Sequence, residues 1–337
     1  MDLFFNHKDV YERLYNCSGI DPWTVGPPNV ILGSVYVAIG IVLEIMYIPC
    51  MMVLLKPELR QYSCYKLMFL LGLYDMATLV VNCIITGYLT IKGAMYCSYP
   101  VFIYFTGVST MVLWCGTCLT GVILGFNRAI DLWFPRLSNS LFGGFRTYVW
   151  FIAPFSYSFI MGWLAKTFCF STRGYAWYNS PYVLIPELDT HPEEYHSGYH
   201  VFNNCTAIVL FFLIYIILSV SVWYKTRNVN SQKISKIQKQ LIYQSCALCF
   251  FIFLADAIYV YAQYYSAPPI LVSFGHCNWI ACHASAVIIY FTCNETIQRE
   301  TFELLRIKKI KGMFSASVAQ TMVETTEHFQ RKQGQQL

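Results

Sequence analysis

VILGSVYVAIGIVLEIMYIPCMMVLL, residues 30–55, holds one carboxylate, Glu44, and no basic residue. A helix rising 1.5 Å per residue needs roughly 20 apolar residues to cross a hydrocarbon core of about 30 Å. This stretch is long enough. Six more follow, at about 67–91, 100–124, 147–165, 205–224, 241–265 and 270–293, and none of the seven contains Lys or Arg. Backbone polar groups in lipid have no water to bind, so long apolar runs of this kind pair internally as helices. The expected fold is an all-α membrane protein, a seven-transmembrane helix bundle over 30–293. An extracellular tail (1–29) precedes it, and an amphipathic membrane-surface helix (294–311) and a disordered cytoplasmic tail (312–337) follow.

Composition agrees with that reading. The 337 residues are 56% hydrophobic, 18% aromatic and only 12% charged, which suits an integral membrane protein and not a soluble enzyme. The net charge of +5 does not point to nucleic acid, because the basic residues gather in loops on one side of the bundle. Residues 1–29 lack a basic segment followed by an apolar core, so the first span is expected to act as an uncleaved anchor.

Counting Lys and Arg loop by loop fixes the orientation. The loops after spans one, three and five, together with the C-terminal segment, hold 18, and the opposite side holds 5. Positive charge stays in the cytosol, so the N-terminus is expected outside. Two N-glycosylation patterns, at Asn16 and Asn204, then fall on the outer side, and a third at Asn294 falls on the inner side and should be silent.

Four of the 14 cysteines are placed outside: Cys17, Cys97, Cys169 and Cys205. Four cysteines allow three pairings. A bridge from Cys97 to Cys169 would pin the long second outer loop over the bundle in an oxidising compartment, and is favoured over Cys97–Cys205.

Several short stretches carry a family resemblance. The third span ends Gly125-Phe126-Asn127-Arg128, with one Arg at the cytoplasmic edge of an uncharged helix, and the second carries Leu73-Tyr74-Asp75-Met76. Further pieces are Tyr15-Asn16-Cys17-Ser18, Tyr47-Ile48-Pro49-Cys50, Ser63-Cys64-Tyr65-Lys66-Leu67-Met68-Phe69, Ile85-Thr86-Gly87-Tyr88 and the Tyr290…Asn294 end of the last span. In this order, over roughly residues 15–310, the chain resembles the nematode serpentine chemoreceptors of class T, within the G-protein-coupled receptors. The resemblance implies a small-molecule ligand, a heterotrimeric G protein as partner, and the plasma membrane of sensory cells. No cofactor is expected. Two departures from the rhodopsin-like pattern stand out. Asn127 occupies the place of the acidic residue that usually precedes the Arg, and residues 286–290 keep only Tyr290 of an Asn-Pro-x-x-Tyr element.

Ionisable groups inside a bilayer are costly, so they face the bundle interior, pair, or lose their charge. Measured from the cytoplasmic edge, Asp75 lies about 12 Å deep and Glu44 about 17 Å. On neighbouring helices they could share a proton or an ion as a receptor switch, with Asn127, Arg128 and Tyr290 as the coupling residues; a protonated, hydrogen-bonded interhelix tie is the other reading of the pair and the slightly favoured one. In the outer half of the bundle, Asn82, Thr86, Tyr104, Asp256, Tyr259, His276, Trp279 and His283 are the candidate ligand-binding residues. The same groups would also serve as ordinary interhelix hydrogen bonds. The segment His191-Pro192-Glu193-Glu194-Tyr195-His196-Ser197-Gly198-Tyr199-His200 has metal-ligand residue types, but Pro192 and Gly198 interrupt the helix that would align them; a solvated lid is expected, and no metal.

A seven-helix odorant-gated channel would need an inverted topology, which the basic bias opposes. An intramembrane aspartyl protease would need a second Asp in a Gly-rich approach, and Phe253-Leu254-Ala255-Asp256 has none. No His-Glu-x-x-His, P-loop or nucleophile-elbow pattern occurs, so the chain is not expected to be an enzyme.

Overall fold

The computed structural model describes residues 1–185, 187–189, 191–228, 236–265 and 267–305, with side chains described outside 222, 225–228 and 236–248. The expectations for 229–235 and for everything beyond 305, including the polar tail and the basic end of the surface helix, lie outside the described residues.

Among the described residues, seven helices form the bundle and an eighth follows it. They are α1 (Val30–Leu54), α2 (Ser63–Lys92), α3 (Pro100–Trp133), α4 (Ile152–Leu164), α5 (Gly198–Asn228), α6 (Lys236–Tyr264), α7 (Pro269–Thr292) and α8 (Glu295–Leu304). Among the described residues, five are long and apolar enough to cross a membrane: α1, α2, α3, α5 as far as Ser221, and α7. The other two expected spans are shorter in this respect. The stretch expected over 147–165 divides into Arg146–Val149 and the 13-residue α4, separated by turn residues Trp150 and Phe151, whose backbones stay near helical. For α6, the apolar part with described side chains is Cys249–Tyr264.

The helices pack as a closed ring. α1 lies on α2 and α7, α2 on α3, α5 on α6 and α6 on α7, while α3 also meets α4 and α5 and so runs through the middle. The outward faces are apolar. Val35, Ile39, Val42 and Ile45 on α1, and Val209, Phe212, Leu213, Ile216 and Val220 on α5, are exposed, as suits helices that meet lipid tails. Close approach of α1 and α2 depends on small residues. A Cβ at Gly33 would lie 2.5 Å from the Gly87 carbonyl oxygen, and one at Gly87 2.6 Å from that of Gly33.

Two segments outside the bundle are folded onto it. The first is the stretch expected as an extracellular tail, which is folded. Asp2–Asn6, Lys8–Leu14 and Pro22–Val25 are short helices, and Phe4, Tyr11 and Tyr15 pack on Tyr104 at ring distances of 5.6, 5.1 and 5.3 Å. Tyr15 also meets Tyr96 at 5.5 Å, which brings Cys17 to Cys97, and these two form the disulfide. The expected Cys97–Cys169 bridge is therefore corrected: Cys169 is a free, fully buried thiol in a strand. Aromatic packing of the N-terminal segment decided the pairing.

The second is the outer loop expected as a solvated lid. It forms a hairpin, β1 (Cys169–Ser171) against β2 (Ala176–Tyr178), with Phe170 opposite Trp177, and both of these side chains are buried. The loop is held to the N-terminal segment by Arg13–Glu194 at 2.6 Å, Tyr182 donating to the Asn16 carbonyl at 2.5 Å and Tyr195 to that of Leu14 at 2.7 Å. It seats this deeply because Gly107 on α3 presents no side chain. A Cβ there would lie 1.8 Å from the Phe168 carbonyl oxygen.

At the other end, Asn294 caps α8 by accepting from the Ile297 amide at 3.1 Å. The Lys56 ammonium reaches Glu300 at 2.8 Å, and together with Arg299 it holds that carboxyl below its ordinary range.

Candidate functional site

α2 contains the first local device. From Val80 to Ile85 its backbone winds as a π-helix, a form that recurs at functional sites. Thr86 donates to the Val81 carbonyl at 2.9 Å, and the Asn82 carbonyl accepts from His276 Nε2 on α7 at 2.9 Å. His276 therefore carries its proton on Nε2 in this contact. Its ring also meets Tyr36 and Trp279 edge-on. The Asn82 side chain is buried with no hydrogen-bond partner.

Below this, α1, α2 and α7 meet at a polar cluster. His283 Nδ1 lies 2.8 Å from Asp75 Oδ1, and the Tyr47 hydroxyl lies 3.0 Å from Asp75 Oδ2 and 2.6 Å from the His283 carbonyl oxygen. Asp75 is 1% exposed, and Tyr47 and His283 not at all. Of the two readings of Asp75, sharing with Glu44 is not what the structure shows: His283 and Tyr47 lie against both carboxylate oxygens, a hydrogen-bonded tie between helices. Glu44 is half-buried, with Oε1 unpartnered.

At the hairpin end of the bundle, its outer half, lies a cavity of about 40 Å³ between α3, α5, α6, α7 and the hairpin. Trp114 is its pivot. Its Nε1–H is shared between Asn204 Oδ1 at 3.1 Å and Asp256 Oδ1 at 3.2 Å. Asn204 lies 3.0 Å from His200 Nε2, and His200 Nδ1 lies 3.3 Å from Gln263 Oε1. Because Asn204 Nδ2 can only donate and the Gln263 oxygen can only accept, this row assigns His200 the neutral Nδ1–H form. Asp256 Oδ2 has no hydrogen-bond partner, and the residue is fully buried. Phe168, Trp177, Tyr259 and Trp279 supply aromatic wall, and Trp177 donates to Thr86 at 2.8 Å. A second space of about 80 Å³, lined by Asn179, Asp189, His196 and Gln263 among others, shares Trp177 and Tyr259 with the first and lies on its outer side.

The cavity and the polar cluster are joined through rings. Trp114 meets Trp279 at 6.5 Å and His283 at 5.9 Å, both edge-on. At the opposite end of the bundle from the hairpin, Arg128 is buried beside a small inner cavity that Gly125, Cys249 and Ser285 also line. Asn127 donates to the Ser63 hydroxyl at 3.0 Å, tying α3 to the start of α2. Tyr290 is fully buried.

Of the residues expected to bind a ligand, Asp256, Tyr259 and Trp279 line the outer cavity. Thr86 supports its wall through Trp177; Asn82, His276 and His283 lie in the layers next to it. Tyr104 is corrected: it sits under the N-terminal aromatic cluster, not on the cavity. The expected glycosylation of Asn204 is also corrected, since that side chain is 1% exposed and hydrogen-bonded inside the bundle. Sequence reasoning missed Thr110, Trp114, His200 and Gln263. Two signals were present: Thr110 and Trp114, and His200 and Asn204, each stand four apart and so share a helix face.

Apolar helices in a ring, buried polar groups between them and a cavity under the hairpin are the frame of a serpentine membrane protein, and the comparison with known families gives its class. Residues 2–313 match the family described as "Serpentine type 7TM GPCR chemoreceptor Srt", and the chain belongs to that family. It is similar to serpentine receptor class T-55 of Caenorhabditis elegans, with 23% identity over 301 residues, covering 87% of this chain and 80% of the relative.

Proposed function

We propose that the chain is a chemosensory G-protein-coupled receptor with seven spans and its N-terminus outside, in the plasma membrane of sensory cells. A small molecule binds in the outer cavity, and a heterotrimeric G protein docks at the cytoplasmic end near Arg128. The observation that carries this reading is the continuous path from cavity to interior. A ligand against Trp114 or Trp279 presses on rings that contact His283, and His283 is held by Asp75 and Tyr47 from two other helices. Displacing that layer would shift α7 against α1 and α2, a rearrangement of the kind on which receptor switching depends. Arg128, buried beside the inner cavity, is the group such a shift would uncover.

The test is expression in reporter cells and a screen of small volatile and soluble compounds. Once an agonist is found, Trp114→Ala should abolish both binding and response. Arg128→Ala should leave agonist binding intact and remove signalling. A full response from Arg128→Ala would end the role assigned to that residue.

A further inference from the structure

The outer cavity has one feature that neither the fold nor the polar network uses. Its wall is an aromatic box, with Trp114, Trp177, Tyr259 and Trp279 around the space, and it contains a single formally acidic group, Asp256. One oxygen of that carboxyl receives the Trp114 indole N–H. The other, Oδ2, is completely buried and has no donor. A lone carboxylate in hydrocarbon costs several kcal/mol unless it is paired or takes up a proton. The protein offers no cation to do this: among the described residues lining the cavity there is no Lys or Arg, and both nitrogens of His200 are engaged by Asn204 and Gln263. Aromatic faces attract cations through their quadrupole, and more strongly where water is excluded. Anions and neutral polar molecules gain nothing comparable from such a box.

Resting on the reading of this cavity as the ligand site, we propose that the ligand is a small organic amine, bound as its ammonium ion. An ammonium N–H donates to Asp256 Oδ2, and the hydrocarbon body lies among the indole and phenol rings.

The experiment uses the full chain reconstituted in lipid nanodiscs, with thermal stability as the readout and three probes of one shape: phenethylamine, phenethyl alcohol and phenylacetate. The amine should stabilise the protein and bind on the order of tenfold or more tighter than the alcohol, because a charge-assisted hydrogen bond and a cation–π contact are added. Phenylacetate should bind weakest. Asp256→Asn retains an acceptor for Trp114 and should bring the amine down to the level of the alcohol. Should that variant fail to fold, the ranking of amine over alcohol over acid in the unaltered protein still decides. Alcohol binding as tight as the amine, or an amine preference that survives Asp256→Asn, overturns the amine assignment and leaves the cavity as a ligand site. No stabilisation by any probe overturns both.

Discussion

Asp75 sits where water does not reach, and each of its oxygens has one protein donor within hydrogen-bonding distance, His283 and Tyr47. Removing one member of such a buried pair leaves the other uncompensated. Asp75→Ala is therefore expected to cost about 3–5 kcal/mol, and Asp75→Ala with His283→Ala much less than the two single changes added together. Thermal denaturation in detergent, run as a double-mutant cycle, checks this; strictly additive losses would remove the coupling. At this scale the sequence was half legible. An acid inside an apolar run stands out, so Asp75 and Asp256 were both marked as interior groups. Their partners were not visible. Glu44 looked close to Asp75 by depth along the helices, but His283 from the far end of the chain holds the position, because α7 closes the ring against α1 and α2. Tyr104 failed for a similar reason. It belongs to a helix that lines the cavity, but it faces the N-terminal segment, and helical spacing alone does not say which neighbour lies on a given side.

The elements show where periodicity informs and where it does not. α1, α2, α3, α5 and α7 follow from apolar runs whose length matches a bilayer. The π-helical turn at Val80–Ile85 has no such signature in the sequence; it exists where α2 meets α7 and His276 takes the Asn82 carbonyl. Nor did the outer segments announce themselves. A hairpin of two three-residue strands is too short to stand out, and it is stable because Phe170 and Trp177 are buried in the bundle mouth. The disulfide Cys17–Cys97 closes a sequence separation of 80 residues across these elements. Cys17→Ser or Cys97→Ser should lower stability by about 2–5 kcal/mol and abolish the sensitivity of the melting temperature to dithiothreitol. Cys169→Ala should leave that sensitivity in place. If instead Cys169→Ala removed it, the pairing would be wrong.

At the scale of the molecule the decisive quantity is topology. Asn16 is exposed beside the folded N-terminal segment, whereas Asn204 is buried in the bundle and Asn294 is buried while capping α8. With the N-terminus outside, a glycosidase digest of the protein from eukaryotic cells should remove a single glycan, and Asn16→Gln should eliminate the shift entirely. An unmodified wild-type chain, or a shift that survives Asn16→Gln, would count against this orientation. The apolar runs, the basic bias and the rarity of interior charge were sufficient to determine a helical membrane protein and the side on which each loop is expected, because the bilayer sorts residues by transfer free energy along the chain alone. Tertiary structure alone decided which side chains meet. Pairing of Cys17 with Cys97, burial of Asn204, the Asp75–His283 contact and the free oxygen of Asp256 in an aromatic box all depend on segments distant in sequence. Their proximity is set by helix packing and by the folding of the outer segments onto the bundle, and local residue patterns do not encode it.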